Sequence, residues 1–366
     1  FDTEAEAKAF LQKNVSANYE VGDLTKKPGS KKPAAPFTTS TLQQEASRKL
    51  YFSVGKTMTI AQRLYESGLI TYMRTDSVNL SNDAMKAAQN EIETSYGKEY
   101  SKPRNYKSKS KGAQEAHEAI RPTDMSQHTI SGDRDQERLY DLIWKRTLAS
   151  QMSDAKLERT NVKIDILSSE KVSEQFTANG EMIKFDGFLK VYLEGTDFDE
   201  EEQEGMLPNL KEGEALQNKY ITATERFTRP PYRFTEASLV KQLEELGIGR
   251  PSTYASIISV ITNRGYAEII NKRFFPTDRG KLISAFLEKL FAKYVDYGFT
   301  AKLEDQLDDI TSGKEDWIKV LEEFWKDFNK NVTSVKKKRT REVLDLLNES
   351  LGDFIFEVDE NEQIDR

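Results

Sequence analysis

Residues 236–268 read EASLVKQLEELGIGRPSTYASIISVITNRGYAE, with apolar residues every three or four positions on both sides of a glycine-rich turn at 247–250. This spacing predicts two short amphipathic helices joined by a turn. The residues that follow, NKRFFPTDRG at 271–280, have the pattern of a β wing. The stretch is therefore typical of a winged helix-turn-helix, in which the second helix begins beside a basic turn.

A second stretch repeats this layout earlier in the chain. Residues 45–72 read EASRKLYFSVGKTMTIAQRLYESGLITY, which again places a glycine and a base before the second helix and a glycine after it. The repeat predicts two helix-turn-helix units, each with a helix start beside positive charge. Two ordinary helical hairpins are the alternative, and the spacing alone leaves both open.

The rest of the chain alternates between helical and strand-like patterns. A capping box at Thr3 and Glu6 predicts a short first helix, and the run KKPGSKKPAAPF at 26–37 predicts an extended linker. Helical spacing continues to about residue 155, strand-like alternation covers about 157–226, and helices resume after the double proline at 230–231. We therefore expect an α+β multidomain protein in which a β-rich region separates two mainly helical domains.

Composition limits the classes of protein and of site. The chain has 366 residues, of which 37% are hydrophobic, enough for about two to four domains with buried cores. No apolar run reaches the roughly 18 residues of a membrane span, and the first residues do not resemble a signal peptide, so we expect a cytoplasmic protein. The absence of cysteine excludes disulfides, thiolate zinc sites and cysteine nucleophiles, and two histidines exclude a histidine-rich metal site. Chemistry must come from hydroxyls, carboxylates and bases.

Charge is distributed unevenly along the chain. The formal net charge of −7 argues against a uniformly basic nucleic-acid-binding protein. Basic residues nevertheless dominate three stretches, at 26–56, 98–111 and 226–281, whereas acidic residues collect at 194–205 and after 341. Solvated loops explain any one such run, but three basic runs beside helix starts favour a nucleic-acid partner.

Phosphate contacts are predicted at the start of the second helix of residues 236–268. Pro251 suits a first helical turn, Ser252 and Thr253 offer hydroxyls, and the free backbone N–H groups there attract anions. Arg250 precedes this helix and Arg264 lies near its end, so each can add a positive charge. An ordinary capped helix N-terminus is the alternative.

One of the two histidines lies in AQEAHEAIRPT, residues 113–123. His117 and Arg121 are four positions apart, which on a helix places them on one face, where a phosphate can meet both. Glu118 lies beside them and Pro122 ends the run. A lone histidine is more often structural than catalytic, although a charged cluster of this kind buries poorly in a core.

Residues 70–77, ITYMRTDS, place Tyr72 two positions before Arg74 and four before Asp76. An ordinary tyrosine phenol is protonated at neutral pH, so a nucleophilic role needs a base or a strong positive field. Arg74 can supply that field permanently, and Asp76 can orient Arg74 or the backbone. Local chemistry leaves open whether Tyr72 is a nucleophile or a core aromatic.

Three motifs together resemble one enzyme family. They are LYESGLITYMRTDS at 64–77, AQEAHEAIRPT at 113–123 and FTEASLVKQLEELGIGRPSTYASIISVITNRGY at 234–266. In this order they resemble the type IA DNA topoisomerases, specifically the bacterial topoisomerase I group, and the resemblance extends over essentially the whole chain. It implies an enzyme that relaxes negatively supercoiled DNA by single-strand cleavage, strand passage and religation, without ATP.

The resemblance also assigns roles to individual residues. Tyr72 corresponds to the nucleophile, which forms a 5′-phosphotyrosine link, and Arg74 corresponds to the arginine that positions the scissile phosphate. His117 corresponds to a histidine that contacts the bound strand nearby. Further support of this site is expected from Asp76, Glu118 and Arg121. Single-stranded DNA is expected to bind at Arg250, Ser252, Thr253 and Arg264.

In the family fold, helical domains and a β arch form a toroid with a gate. The resemblance implies an arch in residues 1–31 and 159–228, a tyrosine domain in 32–158, a DNA-binding groove domain in 229–343 and a tail in 344–366. The family's toprim domain, with its Mg²⁺-binding acids and a general acid or base, has no counterpart here, and neither do its cysteine-bearing zinc modules. DFDEE at 197–201 is interpreted as a solvated loop.

These departures set the expectations for cofactors and partners. We expect this chain to bind no metal itself, and Mg²⁺ to enter the intact enzyme through the toprim domain. The chain should be a monomeric fragment that partners with single-stranded DNA and with the toprim domain, and that binds DNA without cleaving it alone.

Other functions compete with this interpretation. A non-catalytic helix-turn-helix module would bind duplex DNA and keep Tyr72 buried. A tyrosine recombinase would need clustered arginines and histidines around a tyrosine near the C-terminus, whereas Tyr72 lies early in the chain. A protein scaffold would leave the segregated basic stretches unexplained.

Overall fold

A computed structural model describes residues 1–107, 118–167, 174–195 and 207–355. The chain divides into two compact units, each assembled from three separate segments. The first, called the sheet unit, comprises Phe1–Ala34, Ala88–Arg104 and Leu148–Tyr232. The second, called the helical unit, comprises Ala35–Ala87, Asn105–Thr147 and Arg233–Arg366.

A four-stranded antiparallel sheet forms the sheet unit, after a first helix α1 (Glu4–Lys13) that begins with the predicted capping box at Thr3. Its strands are β1 (Asn18–Lys31), β2 (Ala155–Leu167), β3 (Gln175–Phe185) and β4 (Ala215–Leu216), in the order β3-β2-β1-β4. The long pair β1 and β2 runs in register from Asn18 opposite Leu167 to Lys31 opposite Ala155, with one irregularity between Val21 and Asp23.

Three expectations for this unit need correction. The run at 26–37 was expected to be a linker, but its residues up to Lys31 belong to β1. Residues 187–190, expected as part of a strand, form a short 3-10 helix, and only Ala215–Leu216 of the run expected at 215–227 pairs with a sheet. The acidic stretch at 197–201 lies outside the described residues.

The helical unit begins with the first predicted helix-turn-helix. Helix α2 (Thr39–Glu45) continues into one turn of π-helix at Ala46–Leu50, and α3 (Val54–Glu66) follows. Two further helices, α4 (Asn82–Ser95) and α5 (Arg134–Ser150), start in the helical unit and end in the sheet unit.

The second helix-turn-helix has the wing that its sequence predicts. Helices α6 (Glu236–Glu245) and α7 (Tyr254–Asn263) are followed by the antiparallel hairpin β5 (Ala267–Ile270) and β6 (Arg273–Pro276). A buried cluster joins the second helix-turn-helix to the first helix-turn-helix, because Val54 at the start of α3 packs with residues of α6, α7 and β6. Its other members are Val240, Tyr254, Ile258 and Phe274.

Helices complete the helical unit. They are α8 (Asp278–Leu290), α9 (Ala292–Val295), α10 (Tyr297–Thr311), α11 (Trp317–Lys336) and α12 (Thr340–Ile355). Aromatic rings pack between α8, α9, α10 and α11, with Tyr294 edge-to-face against Phe328 at 5.2 Å between centroids. Among the described residues, no helix is both long and apolar enough to cross a bilayer.

Candidate active site

The segment that carries Tyr72 is fixed along one side by the segment that carries Arg121. The Thr71 amide donates to the Arg121 carbonyl at 2.9 Å, and the Thr123 amide donates to the Leu69 carbonyl at 3.1 Å. An isolated antiparallel bridge joins Ile70 to Pro122 between these two bonds. Two motifs that lie about 50 residues apart in sequence are thereby brought together.

Burial alternates along residues 72–77. Met73, Thr75 and Ser77 are buried, with exposed fractions of 0%, 3% and 1%. Tyr72 is 45% exposed and Arg74 is exposed as well. The buried residues hold the backbone, so the phenol and the guanidinium are both accessible to a substrate.

A threonine that the sequence analysis did not single out holds this backbone from behind. The Thr39 hydroxyl, fully buried in the first turn of α2, donates to the Met73 carbonyl at 2.8 Å and accepts from the Thr75 amide at 2.8 Å. The Thr39 amide also donates to the Thr75 carbonyl at 2.9 Å. Helix α2 therefore fixes the peptide groups on both sides of Arg74.

Replacing Thr39 by Val tests this arrangement. The shape is retained but the buried Thr75 amide loses its acceptor, which is expected to lower the free energy of unfolding by about 1–3 kcal/mol. Hydrogen exchange of the Thr75 amide should accelerate in Thr39→Val. It should stay slow in Thr39→Ser, which keeps the hydroxyl and loses one buried methyl group, worth about 0.8 kcal/mol. Equal exchange in both variants would contradict the assignment.

The surroundings of Tyr72 and Arg74 leave their reactive groups available. The Tyr72 ring packs edge-to-face on Tyr65 of α3, with 5.2 Å between centroids and an interplanar angle of 68°. In the part of the chain that the structure describes, neither the Tyr72 hydroxyl nor the Arg74 guanidinium has a hydrogen-bond or ion-pair partner. The neighbour Tyr65 was not identified from the sequence.

Glu118 and Arg121 form an ion pair beside this segment. Arg121 Nη2 lies 2.7 Å from Glu118 Oε2, and the Ser81 amide donates to Glu118 Oε1 at 2.7 Å. Partial burial alone would raise the pKa of Glu118, but the hydrogen bonds from Arg121 and Ser81 outweigh it and keep the pKa below its ordinary value. The pair stabilises the segment that borders Tyr72.

The prediction that His117 and Arg121 lie on one face of a helix is wrong for the described residues of this segment. Residues 118–122 are not helical, and they make bridges to Phe37 and Ile70 instead. Their backbone hydrogen bonds go to the neighbouring segments, which excludes a helix there. His117 itself lies outside the described residues.

A hydrogen bond from α2 connects this region to the second helix-turn-helix. Burial, followed by the carboxylates of Glu244, Glu304 and Asp76, raises the pKa of Tyr254, the first residue of α7. The Ser40 hydroxyl of α2 donates to Glu244 of α6 at 2.7 Å. The two predicted sites therefore belong to one polar neighbourhood within the helical unit.

The Arg250 guanidinium forms ion pairs with three carboxylates of α10. It lies 3.0 Å from Glu304, 3.3 Å from Asp305 and 2.8 Å from Asp308. Partial burial would lower the pKa of Arg250, but the hydrogen bond to Asp308 and the three carboxylates raise it. Contact of Arg250 with a phosphate would require it to exchange these partners.

The hydroxyls expected beside Arg250 are accessible. Pro251 does not enter the first turn of α7, because residues 251–253 form a turn and Thr253 is the N-cap. Ser252 and Thr253 are exposed, and Thr253 Oγ1 accepts from the Arg250 amide at 2.8 Å. Arg264 is the exposed C-cap of α7. At 1.5 Å per residue the two ends of α7 are about 15 Å apart, so residues at the two ends would contact different phosphates of a bound strand.

The family model described as DNA topoisomerase matches residues 1–322. The chain belongs to the DNA topoisomerase family. The family resemblance is thereby confirmed, and the α+β multidomain fold class is confirmed by the helices and antiparallel sheets described above together with the solved structure reported next.

Individual DNA topoisomerases agree with this membership. The DNA topoisomerase 1 of Rickettsia bellii is 49% identical over 96% of the chain and 45% of its own length, and that of Pseudomonas aeruginosa is 47% identical over 92% and 39%. The solved structure of full-length topoisomerase I from Thermotoga maritima is 38% identical with a TM-score of 0.76, over 90% of this chain and 54% of that one. The chain thus spans about half the length of the curated relatives it matches.

Metal ligands are not grouped in the described part of this topoisomerase chain. Across residues 1–107, 118–167, 174–195 and 207–355, no three His, Cys, Asp or Glu side chains converge in a way that could hold an ion. The acidic cluster at Arg250 is neutralised by that guanidinium.

Proposed function

We propose that this chain provides the cleavage tyrosine of a type IA DNA topoisomerase. The observation that carries the proposal is the pairing of an accessible phenol, Tyr72, with an accessible guanidinium, Arg74, on a backbone fixed by Thr39 and by residues 121–123. The motif that holds them lies within the region matched by the DNA topoisomerase family.

The reaction exchanges one phosphodiester for another. The Tyr72 oxygen attacks a backbone phosphorus, a tyrosine–phosphorus bond forms at the 5′ side, and the bond to the 3′ oxygen breaks. The phenol proton leaves and the 3′ oxygen gains one, so charge and atoms balance. Because the bond energies are similar, religation needs no ATP.

Arg74 has the electrostatic role in this step. A fixed guanidinium close to the attacked phosphate stabilises the negative charge that builds on its oxygens. Glu118 and Arg121 act through the fold, because their ion pair and the backbone bonds of Arg121 hold the segment that borders the phenol. Asp76 is proposed to support the same site from within the Tyr72 segment. His117 is proposed to contact the bound strand near the same phosphate.

The remaining chemistry is assigned to a toprim domain. Among the described residues no group of three acidic or histidine side chains is arranged to hold a metal, and the acidic cluster on α10 is paired with Arg250. We infer that Mg²⁺ and a general acid or base come from that partner. Mg²⁺ bound there would neutralise phosphate charge. The chain alone is then a monomeric, cytoplasmic protein that binds single-stranded DNA through Arg264, Ser252 and Thr253, with Arg250 after release from α10, and does not cleave it.

A covalent adduct is the direct test of this function. The chain is mixed with a labelled single-stranded oligonucleotide and Mg²⁺, with and without a separately prepared toprim domain, and separated under denaturing conditions. We expect an adduct only when the toprim domain is added, with the nucleotide on the peptide that contains Tyr72. No adduct, although the oligonucleotide binds and the two proteins associate, would favour the alternative function.

That alternative is a non-catalytic DNA-binding module. The wing hairpin β5–β6 after α7 favours it, since winged helix-turn-helix units commonly read duplex DNA. Preference for duplex over single-stranded oligonucleotides would separate this function from the proposed one.

Binding of single-stranded DNA should weaken steeply with salt. Each phosphate contact contributes about −0.7 to the slope of log K against log salt concentration, because condensed counterions are released. Contacts at both ends of α7 and at Arg74 predict a slope of roughly −2 or steeper. Fluorescence anisotropy between low and physiological salt measures this slope, and a flat dependence would exclude the phosphate contacts proposed here.

A further inference from the structure

An aromatic residue with unusual backbone geometry ends the π-helix after α2. Tyr51 has φ 60° and ψ 33°, in the left-handed region, and its side chain is 70% exposed. This conformation is uncommon for any residue except glycine and is an outlier for a bulky one. π-Helical turns and left-handed residues both concentrate at functional sites, where the surrounding structure maintains the strain.

The wing approaches this tyrosine. Lys272, at the tip of the β5–β6 hairpin, places its Nζ 3.7 Å from the centroid of the Tyr51 ring. Asn271 and Lys272 have φ of 49° and 64°. A two-residue hairpin loop calls for positive φ at both positions, so in the portion of the chain that the structure describes Tyr51 is the one non-glycine residue with positive φ outside such a loop.

Both partners are firmly anchored in the helical unit. Phe52, directly after Tyr51, is buried, and the Leu50 carbonyl accepts from Arg138 at 3.2 Å. Val54 and Phe274, which flank the contact in sequence, belong to the same buried cluster. The pair is therefore held in place by its surroundings.

Local stability does not explain the pair. An exposed cation–π contact stabilises only slightly, whereas a left-handed backbone at a tyrosine and an exposed phenol ring are both unfavourable. Lys272 covers one face of the ring and leaves other ring surface to solvent. An accessible ring beside an ammonium group has the chemistry that single-stranded nucleic-acid sites use, with stacking for the base and positive charge for the backbone.

We propose that Tyr51 and Lys272 form a subsite for one nucleotide of single-stranded DNA, in which a base stacks on Tyr51 and Lys272 binds the adjoining phosphate. The ammonium has three N–H donors, so it can bind a phosphate oxygen while it remains near the ring. Lys49 and Arg273 add positive charge on the two flanking elements. The subsite rests on the proposed binding of single-stranded DNA and extends it to the wing.

Anisotropy of a labelled single-stranded oligonucleotide with the full chain tests the subsite. Tyr51→Ala should weaken binding between about fivefold and a hundredfold, with an unchanged salt slope, whereas Tyr51→Phe should bind as the wild type does. Lys272→Gln should weaken binding and make the salt slope shallower by about 0.7. Tyr297→Ala, which removes a similarly exposed ring at the start of α10, is the matched control and should have no effect.

Tyr51→Gly separates binding from folding. Glycine adopts the left-handed conformation without strain, so the variant should melt about 1–3 °C higher than the wild type although it binds DNA as weakly as Tyr51→Ala. Wild-type affinity in Tyr51→Ala and Tyr51→Gly would overturn the subsite and leave the proposed function intact. Failure of the wild-type chain to bind the oligonucleotide would overturn both.

Discussion

The Tyr72→Phe variant is expected to form no covalent adduct with single-stranded DNA in the presence of Mg²⁺ and the toprim domain. Removal of the hydroxyl removes the attacking oxygen itself, so the loss should be complete. The ring and its edge-to-face contact with Tyr65 remain, and in the described structure the hydroxyl has no hydrogen bond to lose. Melting temperature and oligonucleotide affinity should therefore equal those of the wild type, and the adduct is measured on denaturing gels.

Tyr65→Phe is the matched control for this prediction. Its ring centroid lies 5.2 Å from that of Tyr72 and it is 40% exposed, so it is the neighbouring phenol best placed to replace the nucleophile. The Tyr65→Phe adduct should form at the wild-type rate. An adduct that persists in Tyr72→Phe and maps to Tyr65 would show that the nucleophile has been assigned to the wrong ring.

Replacing Arg74 by Ala should slow adduct formation by about 100- to 1,000-fold at saturating oligonucleotide. This is the range observed when one donor is removed from the site where charge develops in a transition state. Arg74→Lys should recover only part of the rate, because an ammonium keeps the charge but not the planar two-pronged geometry. The rate constant comes from single-turnover time courses, and the dissociation constant is measured separately.

Arg341→Ala provides a charge-matched control for the loss at Arg74. Arg341 is an exposed arginine of α12 that pairs with Asp345 at 3.2 Å. It lies far from Tyr72 in sequence, and its removal should leave the single-turnover rate unchanged. An equal decrease in both variants would indicate that Arg74 contributes general positive charge and no specific contact.

The two helix-turn-helix units were predictable because their signals are local. Helical spacing, the glycines at 247, 249 and 265, and the turn before α7 lie within about 30 residues of each other. Gly247, Gly249 and Gly265 all have positive φ in the structure, as expected at the ends of helices and in tight turns. The β wing after α7 was likewise predicted from an adjacent run of residues.

Strand β1 was not predictable from the local residue pattern, although the family resemblance implied a β arch in residues 1–31. Its lysines, Pro28 and Gly29 have the composition of a linker, but they pair with residues 155–167, far away in the chain. Among the described strands, β4 pairs with Tyr19 and Glu20 and β2 is the neighbour of β1 at Pro28, so the proline there leaves no second described ladder bond unmade. Long-range pairing of this kind leaves no local pattern.

The end of β3 illustrates the same limit. Residues 187–193 were expected to continue a strand, but Gly187 has φ 51° and a Cβ there would lie 2.5 Å from the Ser153 carbonyl oxygen. The close approach of a backbone from a distant segment sets this turn. Such an approach is visible only after the fold has formed.

In the candidate site, too, some residues were predictable from a local motif, whereas others were not because their partners lie far away in the sequence. Tyr72 and Arg74 were recognisable as a motif, whereas Thr39 acts through hydrogen bonds to residues 34 and 36 positions away. Arg250 was predicted to bind phosphate, and its carboxylate partners on α10, Glu304, Asp305 and Asp308, lie more than 50 positions further along. Side chains that position others carry no signal of their own in the sequence.

The order of segments within the helical unit has a consequence for synthesis of the protein on the ribosome. Val54 emerges before the residues that bury it, from Val240 to Phe274, which follow about 200 positions later. At roughly 5–20 residues per second, the first helix-turn-helix waits about 10–45 s for its packing partner. During that interval the whole sheet unit is completed, since its last segment ends at Tyr232. On the nascent chain, the apolar face of α3 is therefore not yet covered by the second helix-turn-helix at the time when the sheet unit can already fold.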